Sequence, residues 1–129
     1  MKQCLIVDDS HVIREVGQRI FEQLGFEAGE AEDAEIALAI CNEKVPEVIL
    51  LDENLPDMGC IEFIRALHRI RGGMRAAVIV MLTENNVATI TEALDTGACN
   101  FLMKPFDRES IEEKISELVL NESPDEASA

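Results

Sequence analysis

The 129-residue sequence contains no tryptophan and no tyrosine, and it is poor in positive charge, with 11 Lys and Arg against 26 Asp and Glu. Each scarcity excludes something. A nucleic-acid face needs clustered Lys and Arg against phosphates, and base stacking needs aromatic platforms. With a formal net charge of -15, neither is expected, so nucleic acid is excluded as a partner. The one basic concentration, Arg65, Arg69, Arg71 and Arg75, is explained by local charge balance. No apolar run approaches the roughly 20 residues of a membrane span. The opening residues Met1 to Val7 reach Asp8 too soon for a signal peptide, so no membrane partner and a cytoplasmic location are expected. Four cysteines, Cys4, Cys41, Cys60 and Cys99, lie far apart without C-x-x-C spacing. They are expected to act as small apolar fillers rather than as a zinc or disulfide set, with Cys60 the less buried.

What is present is a regular alternation. The apolar run Cys4–Val7 ends in Asp8-Asp9-Ser10, and Ile13, Val16, Ile20 and Leu24 then recur at helical spacing until Gly25. Phe26 to Glu30 is a weak strand. Asp33 is placed to cap a helix carrying Ile36, Ala37, Ile40 and Cys41 inward. Val48-Ile49-Leu50-Leu51 has the continuous apolar character of a strand covered on both faces, and it ends at Asp52. A polar loop leads to a helix with Ile61, Ile64 and Leu67 on one side. A turn at Arg71-Gly72-Gly73 and a strand from Ala77 to Leu82 precede Thr83. A helix over about residues 86–96 stops at Gly97, and Cys99 to Met103 forms the last strand before Lys104. Asp107 caps the final helix, with Phe106 and Ile111 positioned as a hydrophobic staple. The tail at 122–129 has no periodicity and is expected to be disordered, leaving residues 1–121 as one domain.

Strands alternating with helices imply an α/β fold, a doubly wound parallel sheet covered on both faces through right-handed crossovers. In such a sheet Asp8, Asp9, Asp52, Thr83 and Lys104 all fall at the carboxyl edge, where ligands bind. Three carboxylates brought together repel one another and lose hydration. A hard divalent cation such as Mg²⁺ relieves both effects through oxygen ligands. Asp52 could then present an oxygen to phosphorus, Lys104 pair with a phosphoryl oxygen and the Thr83 hydroxyl donate to another. The Asn54 carbonyl could complete the metal shell. Charge neutralisation and positioning are what phosphoryl transfer requires. Taken singly, Asp8-Asp9-Ser10 could be a helix cap and Thr83 and Lys104 ordinary surface groups; five such coincidences at one edge are harder to accept.

The runs Leu5-Ile6-Val7-Asp8-Asp9-Ser10, Leu50-Leu51-Asp52-Glu53-Asn54-Leu55-Pro56, Thr83-Glu84-Asn85 and Phe101-Leu102-Met103-Lys104-Pro105-Phe106-Asp107 together resemble the receiver domain of two-component response regulators. The resemblance covers essentially the whole chain and is nearest to single-domain regulators of the alphaproteobacterial chemotaxis, stress and phosphorelay type. It implies a flavodoxin-like (βα)5 fold with strand order 2-1-3-4-5. Asp8 and Asp9 become the Mg²⁺ pocket, Asp52 the phosphoacceptor, Thr83 the switch hydroxyl and Lys104 the phosphate-sensing amine. Phe101 matches the rotating aromatic, and the Lys104-Pro105 bond is expected to be cis. A histidine kinase or histidine phosphotransfer protein is the implied donor, and a downstream protein is the implied target.

Two departures stand out. Met58-Gly59-Cys60 places glycine one position early, so that a thiol could lie near the pocket. Glu84 puts a carboxylate where a small residue is common, which could slow entry of a donor. A contact surface around Ile90, Glu92 and Asp95 is expected to respond to phosphorylation. Competing readings are a receiver-like adaptor without phosphoryl chemistry and a small hydrolase with Asp52 as nucleophile. The intact acidic and basic set weighs against the first, and the absence of an acid-base group against the second. His11 and His68 are expected to be surface or packing residues.

Overall fold

A computed structural model describes residues 2–84 and 86–128, with side chains through Leu118. Its elements are β1 (Gln3–Val7), α1 (His11–Gln23), β2 (Glu27–Ala31), α2 (Ala34–Glu43), β3 (Val48–Asp52), α3 (Cys60–His68), a 3-10 turn at Gly73–Arg75, β4 (Ala77–Leu82), α4 (Val87–Thr96), β5 (Asn100–Met103) and α5 (Arg108–Ser128). The tail at 122–129, expected to be disordered, continues α5 as far as Ser128 with its side chains outside those described, and Asn85 of the Thr83-Glu84-Asn85 run lies outside the described residues.

The strands form one parallel sheet in the order β2-β1-β3-β4-β5, as the resemblance implied. Because side chains alternate along a strand, each strand divides its residues between two cores. Ile6, Leu50, Met81 and Leu102 face one core, which Phe21 and Ile111 from α1 and α5 complete. Leu5, Val7, Leu51, Val80 and Leu82 face the other, filled by Ala37, Phe63, Ile64 and Leu67 from α2 and α3. β3 is buried throughout, which explains its uninterrupted apolar sequence.

Helix starts follow local chemistry. Ser10, Asp33 and Asn86 each cap a helix by accepting from the backbone N–H three residues on. Asp107 does the same for Ser110 at the start of α5. Phe106 and Ile111 join the same core, consistent with the staple. Gly97 ends α4 with φ at 135°, a conformation that L side chains rarely adopt, and it abuts the His68 ring.

Several inward stripes differ from expectation. Val16 is 37% exposed, Ile36 40% and Ile40 38%. Ile20, Ala37 and Cys41 are buried as expected, but α1 also buries Arg14, Gly17 and Phe21, and α2 also buries Ala34. Small residues let both helices lie close to the sheet; a Cβ at Gly17 would stand 3.1 Å from Ile6 Cγ1. β2 begins at Glu27, one residue later than expected, because Phe26 turns into the core and meets Phe21 edge to face at 5.1 Å.

Candidate functional site

Side-chain parity positions the site. Asp8, Asp52 and Lys104 continue the alternation of Ile6, Leu50 and Leu102, so all three emerge on the α1/α5 side where the strands end. Asp8 lies one step beyond the Val7–Leu51 pair, which sets it beside Asp52. Oxygens of Asp8, Asp9 and Asp52 come within 4.8 Å of one another. Asp8 and Asp52 are buried, whereas Asp9 is open to solvent.

Lys104 Nζ donates to Asp8 Oδ2 at 2.6 Å and to Asp52 Oδ1 at 3.2 Å. The lysine follows β5 directly, and the Lys104-Pro105 bond is cis, as expected. Burial pushes the Asp52 carboxyl above the usual aspartate value; Lys104 pulls it down and Asp8 pushes it up further. For Lys104, burial works against the charged form, but the two aspartates outweigh it and raise its pKa. The charges therefore hold one another, and the lysine does for the acids part of what a cation would do.

The capping and ligand readings of Asp8-Asp9-Ser10 divide between residues. Ser10 Oγ caps α1, and its N–H donates to Asp8 Oδ1 at 2.8 Å, which fixes that carboxylate. Asp9 takes no part in the cap. Three hard carboxylate oxygens so placed suit an oxygen-seeking divalent cation, and no soft donor intrudes.

The remaining predicted residues lie around this centre. Thr83 directly follows β4, exposed, with its hydroxyl donating to Glu53 Oε1 at 3.3 Å. Asn54 stands in the loop after β3, closed by its bridge to Gly59 and by Leu55 N–H donating to the Met58 carbonyl at 3.2 Å. The Asn54 N–H helps hold the Asp52 carboxylate charged. Phe101 is half-buried, with Lys114 Nζ 5.0 Å from its ring centre. Glu84 is exposed in the loop before α4.

Cys60 corrects one expectation. It is 3% exposed and forms the first residue of α3, packed in the same core as Phe63 and Leu67 rather than being the less buried cysteine, and it borders the groove lined by Glu53, Asn54 and Glu92. Gly59, one place early, supplies the extended residue before the helix. The exposed cysteine is Cys99.

One residue of structural weight was missed. Arg14 is buried, donating to the Asp8 carbonyl at 2.8 Å and to Glu30 at 2.6 Å, and so ties β1, α1 and β2 together under the acidic rim. An arginine at inward spacing with Gly17 and Phe21 was the available signal. His11 pairs with Glu15 at 3.5 Å on the surface, and His68 packs beneath Gly97, both as expected. An open groove of about 740 Å³ between α3 and α4 is lined by Arg65, Glu92 and Asp95 and contains none of the clustered acids.

A family profile for the response regulator receiver domain matches residues 4–116. The chain belongs to this family. It is 30% identical over 118 residues to the chemotaxis protein CheY of Thermotoga maritima, covering 91% of this chain and 97% of that protein. The crystal structure of the chemotaxis response regulator CheY4 of Vibrio cholerae superposes with a TM-score of 0.85 at 29% identity, covering 91% of this chain and 98% of that one. The phosphate regulon transcriptional regulatory protein PhoB of Escherichia coli is 32% identical over 123 residues, 95% of this chain but 54% of PhoB. The receiver thus spans about half the length of that group of relatives. Among its described residues, no helix is long and apolar enough to cross a membrane.

Proposed function

We propose that this receiver domain accepts a phosphoryl group on Asp52 from a phosphohistidine donor, a histidine kinase or a histidine phosphotransfer protein, and signals to a downstream protein through the resulting change of surface. The observation that carries this reading is the meeting of Asp8, Asp9 and Asp52 within 4.8 Å under the Lys104 amine.

In the proposed step an Asp52 oxygen attacks phosphorus, the P–N bond breaks, and its electron pair returns to the donor imidazole. Asp52 is buried, with Lys104 Nζ and the Asn54 N–H as its partners. Lys104 exchanges its 3.2 Å contact with Asp52 for a phosphoryl oxygen, keeping its 2.6 Å contact with Asp8 as an anchor. Mg²⁺, held by Asp8, Asp9, Asp52 and the Asn54 carbonyl, would offset the negative charge that gathers on the transferring group. The Thr83 hydroxyl turns to a phosphoryl oxygen, and Phe101 moves further inward from its half-buried position. Phosphorylation thereby alters the surface of α4, β5 and α5. Ile90 packs partly on the core, so Glu92 and Asp95 are the more available contact residues of the three on α4.

Incubation with Mg²⁺ and acetyl phosphate should add one phosphoryl group to the intact mass of the wild type and none to Asp52→Ala. Absence of that gain, with the protein folded and Mg²⁺ present, would leave the phosphorylation-independent adaptor as the better reading.

A further inference from the structure

Glu53 has no part in the mechanism above, yet its side chain engages the residue expected to answer the phosphoryl group. Its backbone is fixed on both sides. The Glu53 N–H donates to the Met81 carbonyl at 3.1 Å, carrying the β3–β4 ladder one residue past the end of β3, and its carbonyl accepts from Cys60 N–H at 3.1 Å. The side chain is therefore the movable part. It crosses to the end of β4, where Oε1 accepts from both the Thr83 N–H at 3.4 Å and the Thr83 hydroxyl at 3.3 Å.

A threonine hydroxyl carries one proton to donate. While Glu53 accepts it, a phosphoryl oxygen on Asp52 cannot. We propose that Glu53 is a positioning residue that holds Thr83 in its unphosphorylated arrangement and competes with the phosphoryl group for the Thr83 hydroxyl. This inference rests on Asp52 being the phosphoacceptor.

The geometry also bounds the strength of the latch. Both bonds are long and the threonine is exposed, so the contact biases the switch without locking it. A phosphoryl group on the neighbouring residue brings about two negative charges, which repel the Glu53 carboxylate while offering Thr83 a better acceptor. The same side chain thus resists the active arrangement and releases it once the charge is in place. Simple repulsion between Glu53 and the incoming anion would also hinder phosphorylation, and side-chain length separates the two causes. Aspartate at this position keeps the charge but is one methylene shorter, so it falls short of the Thr83 hydroxyl.

The test titrates beryllofluoride, a phosphoryl mimic, at saturating Mg²⁺ into wild type, Glu53→Ala and Glu53→Asp, following the Thr83 amide and Phe101 ring resonances by NMR. Thermal melts verify that each variant is folded. The latch predicts that both variants bind beryllofluoride on the order of fivefold more tightly than wild type, the scale of one weak hydrogen bond. It also predicts that the Thr83 amide resonance shifts in Glu53→Asp before any ligand is added, and that Glu53→Asp has no effect on affinity in a Thr83→Ala background. Tighter binding by Glu53→Ala with Glu53→Asp unchanged would assign the effect to charge repulsion and overturn the latch. Unchanged affinity in both variants would overturn it as well. If the wild type itself failed to bind beryllofluoride, the phosphoacceptor reading would fall and the latch with it, an outcome distinct from the other two.

Discussion

Asp8 and Lys104 are 96 positions apart in the chain, yet the lysine Nζ lies 2.6 Å from Asp8 Oδ2. In the sheet, β3 and β4 stand between their strands, a lateral separation of about 14 Å at the usual strand spacing. The contact exists because both residues project beyond the strand ends, where the long lysine arm can pass over Asp52. Topology brings the charges to one rim, and side-chain length closes the remaining gap.

Removing that arm should expose the mutual repulsion of the acids. Lys104→Ala is expected to lower stability by about 1–3 kcal/mol in metal-free buffer, because Asp8 and Asp52 lose their cationic partner in a poorly hydrated setting. Mg²⁺ should then raise the melting temperature of the variant more than that of the wild type, since no ammonium group competes for the carboxylates. Melting curves in EDTA and in Mg²⁺ check both parts. An equal Mg²⁺ response in the two proteins would argue against a shared site.

The raised pKa of Asp52 gives a stability prediction with a definite sign. A carboxyl that holds its proton more tightly when folded adds stability below its ordinary value of 3.8 and loses it as pH rises through the folded value. Above that window the ionised Asp52 is a burden on the fold. Asp52→Asn should therefore be more stable than wild type near neutral pH, even though Lys104 loses one of its two acidic partners. The advantage should shrink as pH falls toward 3.8 and below. Urea denaturation across that range measures it, and a difference independent of pH would contradict the assignment.

How far the chain could be read from its sequence depended on whether a residue's role was set locally. β3 was legible because a strand buried on both faces must be apolar at every position. Asp8, Asp52, Thr83 and Lys104 were legible because each follows an apolar run, and every such end falls on one edge of a parallel sheet. The stripe of α2 was half legible, with Ala37 and Cys41 inward as expected but Ile36 and Ile40 not, because apolar residues occupy most of Ala34–Glu43 and periodicity fixes the spacing but not which phase faces inward. The large Ile36 and Ile40 point outward, and the smaller Ala34 and Ala37 permit close approach to the sheet. Arg14 was overlooked because a charged residue in an amphipathic pattern is taken as solvated, whereas here its guanidinium finds the Asp8 carbonyl and Glu30. Glu53 was unreadable for another reason. Its role depends on a side chain reaching to the neighbouring strand, which no spacing along the chain encodes.

Thiol chemistry offers a direct check on burial. Cys4 and Cys60 have pKa values pushed up by burial, and Cys41 is raised to about 11 for the same reason. A thiol must ionise to react, so these three should be slow toward iodoacetamide in the native protein. Cys99, exposed just before β5, should be alkylated first. Mass spectrometry after brief native labelling should find one carbamidomethyl group, on Cys99, with the other sites filling only in denaturant. Early labelling of Cys60 would contradict its burial at the start of α3.

Adjacent glycines after α3 should respond differently to alanine, because one is needed for its backbone angle and the other for space. Gly72 has φ at 80° but open surroundings, so a Cβ there meets only the local preference against that conformation, about 1–2 kcal/mol. Gly73 lies in a negative-φ turn, but an added Cβ would stand 1.9 Å from the Leu67 carbonyl oxygen, a backbone atom that cannot step aside alone. Relief requires moving the end of α3, whose Leu67 side chain is fully buried in the core. Gly73→Ala should therefore lose more, about 2–4 kcal/mol, in the range of other overpacked or strained core positions. Urea denaturation of the two variants ranks them. Equal losses would mean that the turn relaxes freely and that close approach to α3 is not what Gly73 provides.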